Sequence, residues 1–165
     1  MKILKLILIS NGILIILSCN QADMKSKYIV EHVHLQEIKD DIEPPPLDLK
    51  PTFKSVEDWL YNICESDSPK KYISHYSIGI FESKDSYILF LVGLNRTKNH
   101  EKVDFQPTNM YFLVSKVEYK VLGIEQFINK MAMQLKTFTE TKKFEDSFLA
   151  KSNSIVFDNA VIWAK

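Results

Sequence analysis

Residues 52–165 predict an α+β domain: a mainly antiparallel sheet of about four to six strands with two or three helices packed on one face. Three observations carry this expectation. Ile124, Phe127, Ile128, Met131, Leu135 and Phe138 form one stripe at helical spacing, with Glu125, Gln126, Asn129, Lys130 and Lys136 outside it. The run Tyr87-Ile88-Leu89-Phe90-Leu91-Val92 is apolar on both faces, which suits a central strand covered on both sides. Asp158-Asn159 separates Ile155-Val156-Phe157 from Ala160 to Trp163, and Asx residues tolerate the positive φ that a two-residue hairpin demands.

Along the domain, Phe53 to Cys64 reads as a helix. Ser55 caps it with Asp58 three positions on, and Val56, Trp59, Leu60, Ile63 and Cys64 share a face. Asp67-Ser68-Pro69 ends it. Tyr72 to Phe81 alternates, with Ser74, Tyr76, Ile78 and Ile80 on one side and Ile73, His75, Ser77 and Gly79 on the other. The polar loop Glu82 to Asp85 joins it to Ser86–Leu94 as a hairpin. Asn95 to Pro107 reads as a polar loop, and Met110 to Val114 as a third strand. Residues 115–122 stay open. Val117, Tyr119 and Val121 alternate like a strand, whereas Ser115 with Glu118 suits one helical turn before Gly123. After the helix Ile124 to Phe138, Phe144 would fall opposite the stripe. Thr139-Glu140-Thr141 is therefore a break, and Lys142 to Lys151 a second helix presenting Phe144, Phe148 and Leu149.

The chain before residue 52 has a different character. Lys2 and Lys5 form a short positive end, and Ile3, Leu4, Leu6 to Ile9 and Ile13 to Leu17 make an apolar region broken by Ser10, Asn11 and Gly12. That is the build of an export signal over residues 1–18, too short and interrupted to span a bilayer. Residues 19–51 are polar and contain Pro44-Pro45-Pro46, which enforces extended, donor-free backbone. They read as a tether; a flexible segment of that length spans on the order of 30 Å.

Ile16-Leu17-Ser18-Cys19 resembles the bacterial lipobox, with Ile where Leu is usual. The resemblance implies that Cys19 is acylated on sulfur with a palmitate-type chain, then freed by cleavage and acylated again as the new N-terminus. Several acyl chains hold a protein stably where one holds it marginally. Asn20 after that cysteine implies the outer membrane under the familiar sorting rule. Val56-Glu57-Asp58-Trp59-Leu60 and Pro107-Thr108-Asn109-Met110-Tyr111-Phe112 resemble stretches of small Bacteroidota lipoproteins, a likeness that implies no activity.

Composition narrows the function classes. Without residues 1–18 the chain carries 19 basic and 21 acidic side chains, a formal charge of −2. That speaks against nucleic acid as a partner, which wants a concentrated basic face. It also leaves the acyl chains, rather than electrostatics, as the membrane attachment. With Cys19 lipidated, Cys64 stands alone, and its place on an amphipathic face makes it a small buried residue rather than a nucleophile.

His32 and His34, with Glu31 and Glu37, could share a metal if extended, but a tether lacks the fixed four-ligand frame of structural zinc. His75 and His100 each stand alone as solvated or hydrogen-bonded residues. Four glycines leave no phosphate-cradling loop, and neither a nucleophile elbow nor a His-Glu-x-x-His helix occurs. No cofactor is implied.

Tyr72, Tyr76, Tyr87, Tyr111 and Tyr119 are spread through the domain, and tyrosines on a sheet face can form a recognition surface. The expectation is a lipid-anchored envelope protein that works by binding, of the kind that blocks a protein partner as an immunity or inhibitor protein does. An envelope hydrolase using carboxylates and His75, and a subunit of an envelope assembly or maintenance complex, are the alternative classes. A cleft gathering His75 with carboxylates would favour the enzyme; an exposed tyrosine face would favour binding.

Overall fold

The computed structural model describes residues 42–98, 100–120 and 123–165. The export signal, Cys19, His32, His34 and the tether as far as residue 41 lie outside the described residues. Helix α1 spans Val56–Ser66 rather than Phe53–Cys64 and starts at the expected cap: Ser55 Oγ accepts the Asp58 amide at 3.1 Å, and Asp58 Oδ2 accepts the Lys54 amide at 3.1 Å. It buries Val56, Trp59, Leu60 and Ile63. Trp59 is fastened beyond its helix, its indole N–H donating to the Asn109 carbonyl at 2.8 Å.

The sheet has six strands: β1 (His75–Glu82), β2 (Ser86–Arg96), β3 (Glu101–Phe105), β4 (Tyr111–Ser115), β5 (Ser154–Phe157) and β6 (Ala160–Ala164). The order is β3-β2-β1-β5-β6, with β4 also paired to β2. All pairs are antiparallel except β1 with β5. The architecture is therefore α+β with a mostly antiparallel sheet.

β2 is the longest strand, and its long apolar run is explained by cover on both faces. One face brings Tyr87, Leu89 and Leu91 against α1 and the later helices, together with Tyr76, Ile78 and Ile80 of β1. The other carries Ile88, Phe90, Val92 and Leu94 with Phe81 and Met110.

The strands differ from expectation at several ends: β2 runs on to Arg96, β4 spans Tyr111–Ser115 rather than Met110–Val114, and β1 and β3 differ more. β1 starts at His75 rather than Tyr72, because the Asn95 carboxamide takes over the backbone groups just before it. Asn95 Oδ1 accepts the Ser74 amide at 2.7 Å, and Asn95 Nδ2 donates to the Tyr72 carbonyl at 3.0 Å. The loop expected over Asn95–Pro107 holds β3, which pairs with the end of β2 through Leu94↔Val103, Asn95↔Lys102 and Arg96↔Glu101. A five-residue edge strand with only Val103 and Phe105 facing apolar neighbours gives too short an alternation to stand out from a polar loop.

Residues 116–120 form turns rather than a strand; Glu118 donates to Ser115 Oγ at 3.4 Å and Tyr119 to the Ser115 carbonyl at 3.2 Å. Helix α2 (Ile124–Thr139) buries Phe127, Met131, Leu135 and Phe138 of the expected stripe. The helix expected over Lys142–Lys151 is shorter: α3 spans Lys142–Glu145, and a 3-10 turn follows at Leu149–Lys151. Ser147 causes the break. Its hydroxyl donates to the Phe144 carbonyl at 2.7 Å and accepts the Leu149 amide at 3.2 Å, replacing bonds a continuous helix would make. Asp158 and Asn159 turn the last hairpin at φ 48 and φ 63, the left-handed pair expected there.

The last part of the expected tether lies on the sheet. Ile42 and Leu49 pack with the back-face cluster, Pro45 is buried, and the Tyr111 hydroxyl donates to the Glu43 carbonyl. Proline-rich extended backbone suits such a position, having few N–H groups in need of partners.

The β2–β3 ladder shifts register between Gly93↔Phe105 and Leu94↔Val103, with Asp104 the extra residue on β3. A Cβ at Gly93 would lie 2.9 Å from Ile73 Cγ2, 3.0 Å from Phe105 Cβ and 3.1 Å from Tyr76 Cε1. Gly93→Ala is expected to destabilise by about 1–3 kcal/mol through overpacking. Urea unfolding would show this as a lower midpoint at unchanged slope.

Candidate binding site

The sheet end formed by the start of β1, the end of β2 and β3 carries a connected network of polar side chains. Asn95 is its pivot: besides holding Tyr72 and Ser74, its Nδ2 donates to Asp104 Oδ2 at 2.9 Å. Asp104 Oδ1 pairs with Lys71 Nζ at 2.8 Å and, at 3.7 Å, with Lys102. The hydrogen bond from Lys71, seconded by that from Asn95, holds the Asp104 carboxyl below the usual carboxylate range.

His75 sits beside this network. Its Nδ1 is 3.1 Å from Ser74 Oγ and its Nε2 is 3.4 Å from Glu101 Oε1. The three residue types are those of a hydrolytic relay, but Ser74 Oγ donates to the Leu94 carbonyl at 2.6 Å. The hydroxyl hydrogen that a general base would remove is thus aimed at the backbone, and the group ties β1 to β2. His100 lies in the exposed turn before β3, apart from His75, where its carbonyl accepts from Thr97 Oγ1 at 2.7 Å. Among the described residues, no three His, Cys, Asp or Glu side chains converge in a way that could hold a metal ion.

Two open hollows meet at Lys71 and Ser68, in the segment linking α1 to β1. One, of about 220 Å³, runs past Tyr72, Ile73, Tyr76, Phe148 and Lys151; the other, of about 420 Å³, past Lys70, Asp104, Phe105 and Gln106. Tyr72 stands 58% exposed at the rim, yet its hydroxyl donates to Asn153 Oδ1 at 2.9 Å. Lys70 and Lys151 are exposed, and their ammonium groups make no ion pair or hydrogen bond with a described residue.

The five tyrosines expected to share a surface do not. Tyr76 and Tyr87 are core residues, 1% and 2% exposed, because β1 and β2 turn those positions toward the helices. Tyr87 stacks on Phe127 at 4.2 Å, and burial pushes the Tyr76 hydroxyl far above its ordinary value. Tyr111 points to the opposite face, where burial pushes its hydroxyl up to about 12. Tyr119 is half-buried beneath Lys130, whose Nζ lies 4.3 Å from the ring centre. Of the five, Tyr72 remains as an exposed ring.

Cys64 is half-buried on α1, and burial raises its thiol pKa, opposed by a hydrogen bond with Ser147. That favours the protonated, unreactive form. The exposed apolar side chains Leu47, Val117, Met133 and Val161 belong to separate parts of the domain.

Sequence reasoning missed Lys70, Lys71, Lys151, Asn95 and Asp104. The pair Lys70-Lys71 directly after a helix-ending proline was a weak local signal; Lys151 joins it only through the fold. No helix among the described residues is long and apolar enough to cross a membrane. No protein-family model, curated protein or solved structure matches the chain.

The lowered pKa of Asp104 predicts a pH dependence of known sign. Its contribution to stability is complete above the ordinary carboxylate range and is lost as pH falls through the lowered value. Asp104→Asn is therefore expected to melt a few degrees below wild type at neutral pH, with the gap closing as the solution is made acidic. A gap independent of pH between 7 and about 2 would contradict this.

Proposed function

We propose that this is a lipid-anchored protein of the bacterial cell envelope, held in the outer membrane through Cys19, that acts by binding and blocking a protein partner in the manner of an immunity or inhibitor protein. The binding face is the sheet end that carries Tyr72. One observation carries the reading: Tyr72 is exposed yet fixed by Asn153, in a hollow it shares with Lys151 that adjoins a second lined by Lys70, both ammonium groups without a partner among the described residues. A tyrosine ring held in place brings contact area to an interface with little entropy left to lose. The lipobox-like Ile16 to Cys19 and the polar stretch after it support the anchor. The hydrolase reading around His75 gains little support, since Ser74 donates to the backbone.

The test is affinity capture with the full chain carrying a C-terminal tag, from envelope and secreted fractions of its own and competing strains. The expected result is a stoichiometric protein partner whose affinity falls at least about tenfold in Tyr72→Ala, the loss typical of a central interface aromatic. In the same fractionation Cys19→Ser should move the chain from membranes to the soluble phase. A partner retained equally by Tyr72→Ala, or no partner at low and high salt, would sink the reading.

A further inference from the structure

The hollow lined by Tyr72 and its neighbour adjoin at Ser68 and Lys71, and lysines line both arms of the groove they form. Of the acids nearest it, Asp104 is paired with Lys71 and Lys102 and bonded by Asn95, while Asp67 accepts from Thr108 through Oδ1 alone, the amide at 3.1 Å and the hydroxyl at 2.9 Å, its Oδ2 having no partner among the described residues. The lysines are not all so engaged. Lys71 leans on Asp104, but Lys70 in one arm of the groove and Lys151 in the other have no described partner. The exposed ammonium groups of Lys70 and Lys151 therefore lie on either side of the shared Ser68 and Lys71, and Tyr72 lines the same arm as Lys151.

We infer that this groove takes an acidic, extended segment of a protein partner, its carboxylates meeting Lys70 and Lys151 and an apolar or aromatic side chain lying on the ring of Tyr72. The inference rests on the binding function proposed above and adds the chemistry of the partner. Shape separates a peptide from a small molecule. A small-ligand site encloses most of its ligand in a concave, mostly apolar pocket, whereas these hollows of about 220 and 420 Å³ are open to solvent and adjoin at Ser68 and Lys71. A chain laid across them contacts both arms at once.

The framework is set in advance. Asn95 and Asp104 position Lys71, and Asn153 positions Tyr72, so little ordering is left for the moment of binding. Charge complementarity of this kind steers encounter and selects partners more than it adds raw affinity, so salt should weaken the interaction.

The experiment is a titration of the full chain, in a non-ionic detergent, followed by amide chemical shifts. The probe is a synthetic heptapeptide, Glu-Glu-Tyr-Glu-Asp-Leu-Glu, with its amide counterpart Gln-Gln-Tyr-Gln-Asn-Leu-Gln as control and tri-galacturonate as an anion of another class. The acidic peptide is expected to shift amides of residues 68–73 and 148–152. Its Kd should rise about tenfold in Tyr72→Ala and in Lys70→Ala/Lys151→Ala, and severalfold between about 50 and about 300 mM salt. Lys130→Ala/Lys136→Ala, on α2, should leave it unchanged. Equal binding of the acidic and amide peptides, no binding of either, or tighter binding of tri-galacturonate would overturn the inference. A captured partner indifferent to Lys70→Ala/Lys151→Ala would also overturn it while the binding function stood. Failure to capture any partner counts against that function alone, since the peptide titration is judged by itself.

Discussion

One strand serves two partners along a single edge, and the rest of the domain follows from that constraint. β2 pairs with β1 along one side from Tyr87 to Leu94. On the other side, Ser86 to Phe90 belong to β4, and Gly93 to Arg96 belong to β3. The change of partner falls between Phe90 and Gly93, and the β2–β3 ladder then shifts register between Gly93↔Phe105 and Leu94↔Val103, leaving Asp104 as an extra residue of β3. Gly93 is also where Ile73, Tyr76 and Phe105 crowd the strand closely enough that a methyl group would press on each. A residue with a side chain there would have to move β3 or the ring of Tyr76. Backbone pairing and core packing thus meet at one position.

The candidate groove is a by-product of this arrangement. β2 extends past the point where β4 leaves it, so Asn95 reaches the sheet end with its carboxamide free to bond three neighbours. By holding Ser74, Tyr72 and Asp104 it stops β1 short of Tyr72, and the segment 68–74 crosses the sheet end as a loop. That loop carries Lys70, Lys71 and Tyr72. Asn153, just before β5, completes the wall, because the parallel pairing of β1 with β5 brings Ser154 opposite His75. Residues about 80 positions apart in the chain therefore share one surface through the sheet order, with no local motif to announce them.

Much of the framework was legible in the residues. α1 was marked by its cap and apolar face, α2 by a stripe long enough for periodicity to be unambiguous, and the β1–β2 hairpin by a doubly apolar run beside an alternating one. The last turn was written in Asp158-Asn159. What was hidden lies where side chains take over backbone roles or where alternation is too short to register. β3 is an edge strand with two apolar residues on five, Ser147 ends a helix whose apolar pattern continues, and Asn95 ends β1 from another strand. The tyrosines misled for a related reason. Alternation gives the parity of a residue, but the facing of each strand, which buried Tyr76 and Tyr87 and sent Tyr111 to the opposite side, is set by the assembled sheet.

Amide hydrogen exchange in the folded domain addresses the role of β2 most directly. With both edges paired and both faces covered, the amides of Ile88 to Val92 can open only when the whole domain does. They are expected to be the slowest to exchange and to share a single opening free energy equal to that of global unfolding. The edge strands β3 and β6 should exchange through smaller openings. Exchange of the β2 amides through an opening that leaves α1 and α2 protected would contradict the account.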